Sequence, residues 1–241
     1  MSDIAIAHES TAGHSQGALL GGAAVLIWND VSPEGREAFY AWHDSEHIPE
    51  RLALPGFRRG RRLARPRHSP EWLTMYEADD VAALVSPQYL ARLNAPTKST
   101  VRTLKHFRNT ARAVCRVAHS VGSSTGGHIL AMRLVADAAR DAAIVERMRD
   151  DVFPRVMAVT GIVACHLYAA DRPASYVDTA ESSTRAFDVP AWVVLCEASR
   201  GDAAHAAREH IDAALAQLGV RVRDDAAVYA LEICRLSAPA S

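Results

Sequence analysis

The chain has 241 residues, 49% of them hydrophobic, and a formal net charge of −1, a composition typical of globular proteins. The near-neutral charge gives no support to nucleic-acid binding, which usually needs a basic face, although arginines cluster at Arg58–Arg62. We therefore expect neither a nucleic-acid partner nor a fibrous or disordered protein.

The apolar stretch Ala18–Trp28 is too short to span a bilayer. It follows an acidic, histidine-containing segment rather than a basic one, so we predict neither a membrane span nor a signal peptide. The four cysteines lie in apolar runs without C-x-x-C spacing. They are typical of core residues in a reducing compartment, and we predict a cytoplasmic protein.

The pattern predicts a flexible arm over residues 1–22, followed by six elements in the first half of the chain. Ser32 and Pro33 are a favourable helix start, and Pro49 should end or kink that helix. The predicted elements are a strand at Ala24–Asn29, a helix at about Pro33–Ile48, a strand after Gly56, a strand at Trp72–Glu77, a helix at about Pro87–Leu93 and a strand at Thr110–Ala118.

The second half of the chain repeats this order after a Gly- and Ser-rich linker at 120–127. The polar stretch 172–189 is unusually long for a connection, which indicates either a lid or disorder. The predicted elements are a strand at Ile129–Leu134, a helix at about Ala138–Phe153, a strand after Gly161, a strand at Trp192–Glu197, a helix at Asp202–Leu218 and a strand at Ala227–Leu236.

Four landmarks recur in the same order and indicate an internal repeat. The first landmark of each copy is an apolar strand. The second is a helix that ends near an Ile-Pro or Phe-Pro pair, with a glycine seven residues after the proline. The third is a strand that begins with Trp and ends with Glu. The fourth is the match of Val114–Val117 with Ile233–Leu236. This order predicts an α+β fold of two tandem ferredoxin-like β-α-β-β-α-β modules, at 23–119 and 128–241, with their sheets packed face to face.

The segments Trp42–Arg51 (WHDSEHIPER) and Pro55–Arg62 (PGFRRGRR) resemble the dimeric α+β barrel superfamily, closest to its EthD-like and muconolactone-isomerase-like branches. The resemblance covers about residues 23–236. It implies a site between the sheet and its helices, and a homodimer. Relatives include cofactor-free isomerases, lyases and cyclases, cofactor-free oxygenases and haem-binding proteins, so the fold does not fix the reaction.

Comparison of the copies places the candidate site in the first module. Polar residues there face apolar ones in the second, which we interpret as a structural copy. The pairs are His43 with Met148, His47 with Val152, Arg51 with Val156, Arg62 with Leu167 and Tyr76 with Cys196. Unpartnered buried polar groups are costly, so such a cluster indicates either a ligand or an internal network.

His47, together with His43 one turn earlier, is our candidate acid or base, because histidine can titrate near neutral pH. Arg62 or Arg51 would hold a carboxylate or a developing oxyanion, unless they only form salt bridges with Glu50, Glu71 or Glu77. Tyr76 would donate a hydrogen bond to a carbonyl, unless it is a core aromatic. The candidates for substrate binding are Trp28, Tyr40, Trp42, Arg51 and His106.

The segment His43-x-x-Glu46-His47 matches an inverted zinc-protease motif. Pro49 shortens the helix and no third ligand is evident, so we predict no metal and no cofactor. Our main hypothesis is a cofactor-independent isomerase, lyase or cyclase acting on a small carbonyl or lactone compound. The alternatives are a cofactor-free or haem-dependent oxygenase, and a non-catalytic binding or stress protein.

Overall fold

The computed structural model describes residues 17–181 and 188–238. Eight of its strands form one closed antiparallel barrel. The remaining strand, the two-residue β8, pairs with the end of β5. The strands are β1 Ala23–Val31, β2 Phe57–Ala64, β3 Trp72–Ala78, β4 Phe107–Gly122, β5 His128–Val135, β6 Ile162–Ala170, β7 Trp192–Ala198, β8 Arg221–Val222 and β9 Ala227–Leu236.

The barrel consists of two four-stranded sheets of identical order joined at both edges. The first copy runs β4-β1-β3-β2 and the second runs β9-β5-β7-β6, while β2 pairs with β9 and β4 pairs with β6. The predicted α+β fold of two ferredoxin-like units is therefore confirmed. Because one chain supplies both sheets, the barrel closes without a second chain, and unpaired strand edges are avoided.

The helices cover the outer faces of the two sheets, and the barrel interior forms a separate core with side chains from both copies. No helix in the described part of the chain has the length and apolarity to cross a membrane. The helices are α1 Arg36–Trp42, α2 Ile48–Leu52, α3 Pro87–Asn94, α4 Lys98–Leu104, α5 Asp141–Arg147, α6 Phe153–Met157, α7 Arg172–Ser175 and α8 Gly201–Gln217.

The prolines that were expected to end or kink the first helix of each copy do not end it; they follow a local change in its winding. A π-helical turn, His43–His47 or Met148–Val152, connects α1 to α2 and α5 to α6. At its end the Ile48 N–H donates to the carbonyl of His43, five residues back. The wider turn accommodates the proline ring that would clash with an α-helical carbonyl, so the helix continues beyond it.

Several boundaries differ from the prediction. The strand expected at Thr110–Ala118 runs on to Gly122, because its end pairs with β6 and fills the first part of the expected linker. Helix α4 was missed. Residues 17–22 are docked rather than free, with Ala18 and Leu19 buried and the Leu20 N–H bound to Glu77; residues 1–16 of the predicted arm lie outside the described residues.

The fourth repeat landmark is wrong by five residues. β1 pairs Ala23 with Arg116, and β5 pairs His128 with Ala230, so Arg116 is equivalent to Ala230 rather than to Arg235. The sequence match between Val114–Val117 and Ile233–Leu236 does not align equivalent positions. The other three landmarks agree with the pairing register.

A buried ion network joins the two copies inside the barrel. One guanidinium nitrogen of Arg61 donates to Glu77 at 3.1 Å and to Glu197 at 2.9 Å, and these glutamates are the equivalent landmark residues. Arg59 also donates to both oxygens of Glu77. His166 contacts Glu197 at 3.3 Å. All five side chains are buried, so the charges compensate one another away from solvent.

We expect Arg61→Met to lower the free energy of unfolding by about 3–5 kcal/mol, because it leaves two buried carboxylates without a shared cation. Arg58→Met on the same strand is the matched control, since its partner Asp79 is exposed, and it should cost less than about 1 kcal/mol. Urea unfolding followed by tryptophan fluorescence measures both. Equal losses in the two variants would contradict the network.

Burial alone would raise the pKa of Glu197, but the His166 hydrogen bond and the charge of Arg61 outweigh it and lower that pKa to about 2. A depressed carboxyl pKa stabilises the fold above its unfolded value of about 4.3, and that stability is lost as the pH falls toward 2. We expect Glu197→Gln to flatten the fall in unfolding free energy over this window. An unchanged pH profile would contradict this assignment.

Candidate functional site

The candidate site is a cavity between the outer face of the first sheet and the helices of the first copy. It has a volume of about 50 Å³, enough for a few water molecules. Its walls are largely apolar and aromatic, with polar groups at the sheet side. The aromatic and polar lining residues are Asn29, Phe39, Trp42, His43, His47, Arg51, Thr74, Tyr76, Tyr89, Phe107, Arg112, Thr179 and Glu181.

The π-helical turn places His43 and His47 above one another on the cavity side. Side chains four positions apart lie on the same face of a helical turn. Their rings stack with centroids 5.7 Å apart. Both residues are buried and both line the cavity, as the sequence predicted.

The hydrogen bonds of His43 define its tautomer. Its Nδ1 lies 3.1 Å from Arg62 Nη1, and a guanidinium can only donate, so Nδ1 accepts. In the neutral ring Nε2 then carries the proton and faces the Tyr76 hydroxyl oxygen at 3.4 Å. Tyr76 accepts this contact and keeps its own proton available for the cavity.

The electrostatics support the same assignment. Burial, together with the charges of Arg62 and Arg51, holds the pKa of His43 well below its usual 6.5. Burial likewise raises the pKa of Tyr76 above its usual 10, against the opposing effect of Arg51. His43 is therefore neutral and Tyr76 protonated near pH 7, so Tyr76 is a hydrogen-bond donor. His43 contacts the Tyr76 hydroxyl, and its lowered pKa makes it a weak base.

Arg62 does not line the cavity, in contrast to its predicted role on an oxyanion. Its guanidinium bonds Asp44 and donates to Glu232 at 2.7 Å. It reaches the site only through His43. The alternative interpretation of a salt bridge therefore applies to Arg62, although its partners differ from the glutamates that were considered.

His47 stacks on Trp42, with ring centroids 4.1 Å apart, and its ring meets the Tyr76 ring edge-on at 6.2 Å. Trp42 is held by its own hydrogen bond to Thr100 at 3.0 Å. The imidazole of His47 is thus packed against Trp42, with the Tyr76 ring edge-on to it, on the cavity wall. Glu46 of the zinc-like motif instead accepts a hydrogen bond from Thr97, and the described residues contain no group of three potential metal ligands.

The second copy covers the site, although it was expected to be only structural. Arg51 donates to Glu181 at 2.7 Å, and Glu181 belongs to the long connection of the second copy. Arg51 also lies 3.4 Å from Glu50, one of the partners considered from the sequence. The described part of the connection, up to residue 181, therefore contributes cavity lining; residues 182–187 lie outside the description.

Three predicted substrate-binding residues lie elsewhere. Trp28 points into the barrel, where Arg133 stacks on it at 4.9 Å, because neighbouring strand residues face opposite sides. Tyr40 lies outside the cavity and donates to Glu232. His106 is bound to Ser32, behind the first helix. Only Trp42 and Arg51 of this group line the cavity.

The sequence analysis missed Asn29, Thr74 and Arg112, which line the cavity from β1, β3 and β4. Their equivalents by strand register are Leu134, Val194 and Ala226. The copy comparison could have found the first two. It did not reach Arg112, because the match for the fourth strand covered only Val114–Val117.

Neither His43 nor the equivalent positions of the second copy offer a ligand for a haem. Both ring nitrogens of His43 are engaged. In the second copy the equivalent positions, Met148 and Val152, are packed in the apolar core.

Comparisons with known proteins identify the fold. No family model matches the chain, and no curated protein matches it. Among solved structures it is similar to an anthrone oxidase-like protein, with a TM-score of 0.59 and 11% identity over 89% of this chain and 92% of the other.

Two further structures agree with this fold. A protein from Fusobacterium nucleatum, provisionally named a monooxygenase, has a TM-score of 0.55 and 8% identity over 90% of this chain and 96% of its own. Chlorite dismutase from Candidatus Nitrospira defluvii has a TM-score of 0.56 and 9% identity over 88% and 91%. The chain therefore has the dimeric α+β barrel fold that its sequence resembles, with both halves in one polypeptide.

We expect His43 to remain a neutral Nε2–H tautomer from about pH 6 to 8, because its pKa lies below the ordinary value. Imidazole ¹⁵N shifts in the wild type, assigned with His43→Gln, measure this directly. A ring that titrates near pH 6.5, or that carries its proton on Nδ1, would contradict the proposed donor chain.

Proposed function

We propose that the first module is an enzyme site that moves a proton at a carbon activated by a carbonyl group. The donor chain from Arg62 through His43 to Tyr76 carries this proposal. It ends in the protonated hydroxyl of Tyr76, whose ring lies edge-on to the His47 imidazole in a mainly apolar cavity. A hydrogen-bond donor and a base side by side are what enolate formation requires.

In this mechanism Tyr76 donates its hydrogen bond to the substrate carbonyl oxygen, where negative charge develops. The His43 Nε2–H donates to the Tyr76 oxygen and keeps the hydroxyl proton directed away from the ring. His47 accepts the proton from the adjacent carbon and returns it to another carbon or to the leaving group. Water exclusion by the apolar wall strengthens these interactions.

The shape of the wall supports a flat, apolar substrate body. Phe39, Trp42, Tyr89 and Phe107 supply aromatic surface around the polar end. Such walls favour conjugated or aromatic carbonyl compounds, in which delocalisation also acidifies the C–H bond. The 50 Å³ cavity would have to widen for a ring compound, and the Glu181 contact is the described part of its cover.

A cofactor-free oxygenase is the second candidate, favoured by structural neighbours named as an anthrone oxidase-like protein and a monooxygenase. It shares the same first step, since the carbanion formed by proton removal can be oxidised by O₂. For anthrone the balance is one O₂ consumed, the methylene converted to a carbonyl and one water released. Tyr76 and His47 would have the same roles in both reactions.

The test is deuterium exchange into acidic C–H bonds of a panel of aryl ketones that includes anthrone, followed by NMR without oxygen. We expect the protein to accelerate exchange. Tyr76→Phe should reduce the catalysed rate by about 10²–10³, and His47→Ala by about 10²–10⁴.

His106→Ala is the matched control, because it removes a histidine that lies outside the cavity, and it should keep the full rate. Oxygen uptake with the same panel separates the two candidates: uptake that depends on His47 supports the oxygenase. No exchange and no uptake with any compound, or rates indifferent to Tyr76 and His47, would favour the non-catalytic binding protein instead.

A further inference from the structure

Arg112 is a cation on the cavity wall without a carboxylate partner among the described residues. Its hydrogen bond there goes to the Tyr89 hydroxyl, at a long 3.5 Å. The other arginines near the site, Arg36, Arg51 and Arg62, each pair with an acidic side chain. Arg112 therefore presents an uncompensated charge to the cavity.

The fold itself does not require this charge. Strand register makes Arg112 equivalent to Ala226, which is buried in the core of the second copy. An alanine therefore satisfies the same backbone position. A half-buried arginine without an ion-pair partner is instead suited to binding an anionic group that enters the cavity.

The approach to the cavity also carries positive charge. A second cavity of about 260 Å³ adjoins it and shares Leu104, Phe107 and Glu181 with its lining. Lys105 and Arg108 line this outer cavity, and the side-chain hydrogen bonds of Arg108 go to backbone carbonyls.

Four cationic side chains and one carboxylate thus line the two cavities. The carboxylate, Glu181, is already bound to Arg51. A cleft lined by an excess of one charge raises the local concentration of ligands of the opposite charge.

We propose that the substrate of this site carries a carboxylate, which Arg112 binds while the carbonyl end of the substrate faces Tyr76. The reaction in this proposal rests on the proposed function, whereas the binding of the carboxylate rests on Arg112, which has no part in that reaction. Arg112 is then a specificity-determining residue, and the outer cavity with Lys105 and Arg108 is the entry route for an anionic aromatic acid.

The experiment compares benzoate with benzamide, which have nearly the same shape but differ in charge, by calorimetry at constant ionic strength. We expect wild-type protein to bind benzoate at least about tenfold more tightly than benzamide. Arg112→Gln should remove most of this preference, whereas Arg112→Lys should retain part of it. Arg116→Gln, an exposed arginine on the same strand, should retain all of it.

The proposal is overturned if wild-type protein does not bind benzoate at millimolar concentration, binds both probes equally, or keeps its preference in Arg112→Gln. Tyr76→Phe separates this result from the proposed reaction. Retained benzoate preference in that variant is expected, because the carboxylate does not contact Tyr76. If the protein prefers benzoate but shows no Tyr76-dependent deuterium exchange, the proposed reaction is wrong and the cavity is an anion-binding site.

Discussion

The structure depends on one shared cation inside the barrel. Arg61 lies between Glu77 and Glu197, the equivalent glutamates of the two sheets. Neither carboxylate could be buried there as an anion without compensation. Since one guanidinium serves both, the relative position of the two sheets is constrained, and their opposite faces are left for the helices. The site on the first outer face is built on that fixed frame.

The same π-helical turn in the two copies has different outcomes because its side chains differ. Both have a π-helical turn at the same place, caused by Pro49 and Pro154. In the second copy Met148 and Val152 fill the space behind it. In the first, histidines of similar position bring nitrogen atoms that need partners. The polar side of the cavity is thus a property of these substitutions and not of the turn.

The sequence was sufficient for the elements, their order and the repeat, because hydrophobic period and Pro-Gly spacing are local signals. The sequence was insufficient where the position of a residue depends on which strands pair or on contacts between distant segments. The match of Val114 with Ile233 was out of register by five residues, because strand pairing and not local similarity sets which positions are equivalent. The direction of Trp28 depends on which strand face meets the barrel. The bond between Arg51 and Glu181 joins residues 130 positions apart, beyond any local pattern.

The polar cluster divides into two parts that the sequence could not separate. The arginines of the helix and of β2, Arg51 and Arg62, are compensated by carboxylates, as expected of a purely structural network. His43, His47 and Tyr76 are instead arranged along a cavity. A network that served stability alone would be expected to close over this space, as the apolar residues of the second copy do. The retained cavity is therefore the physical argument for a ligand beside the Tyr76 hydroxyl.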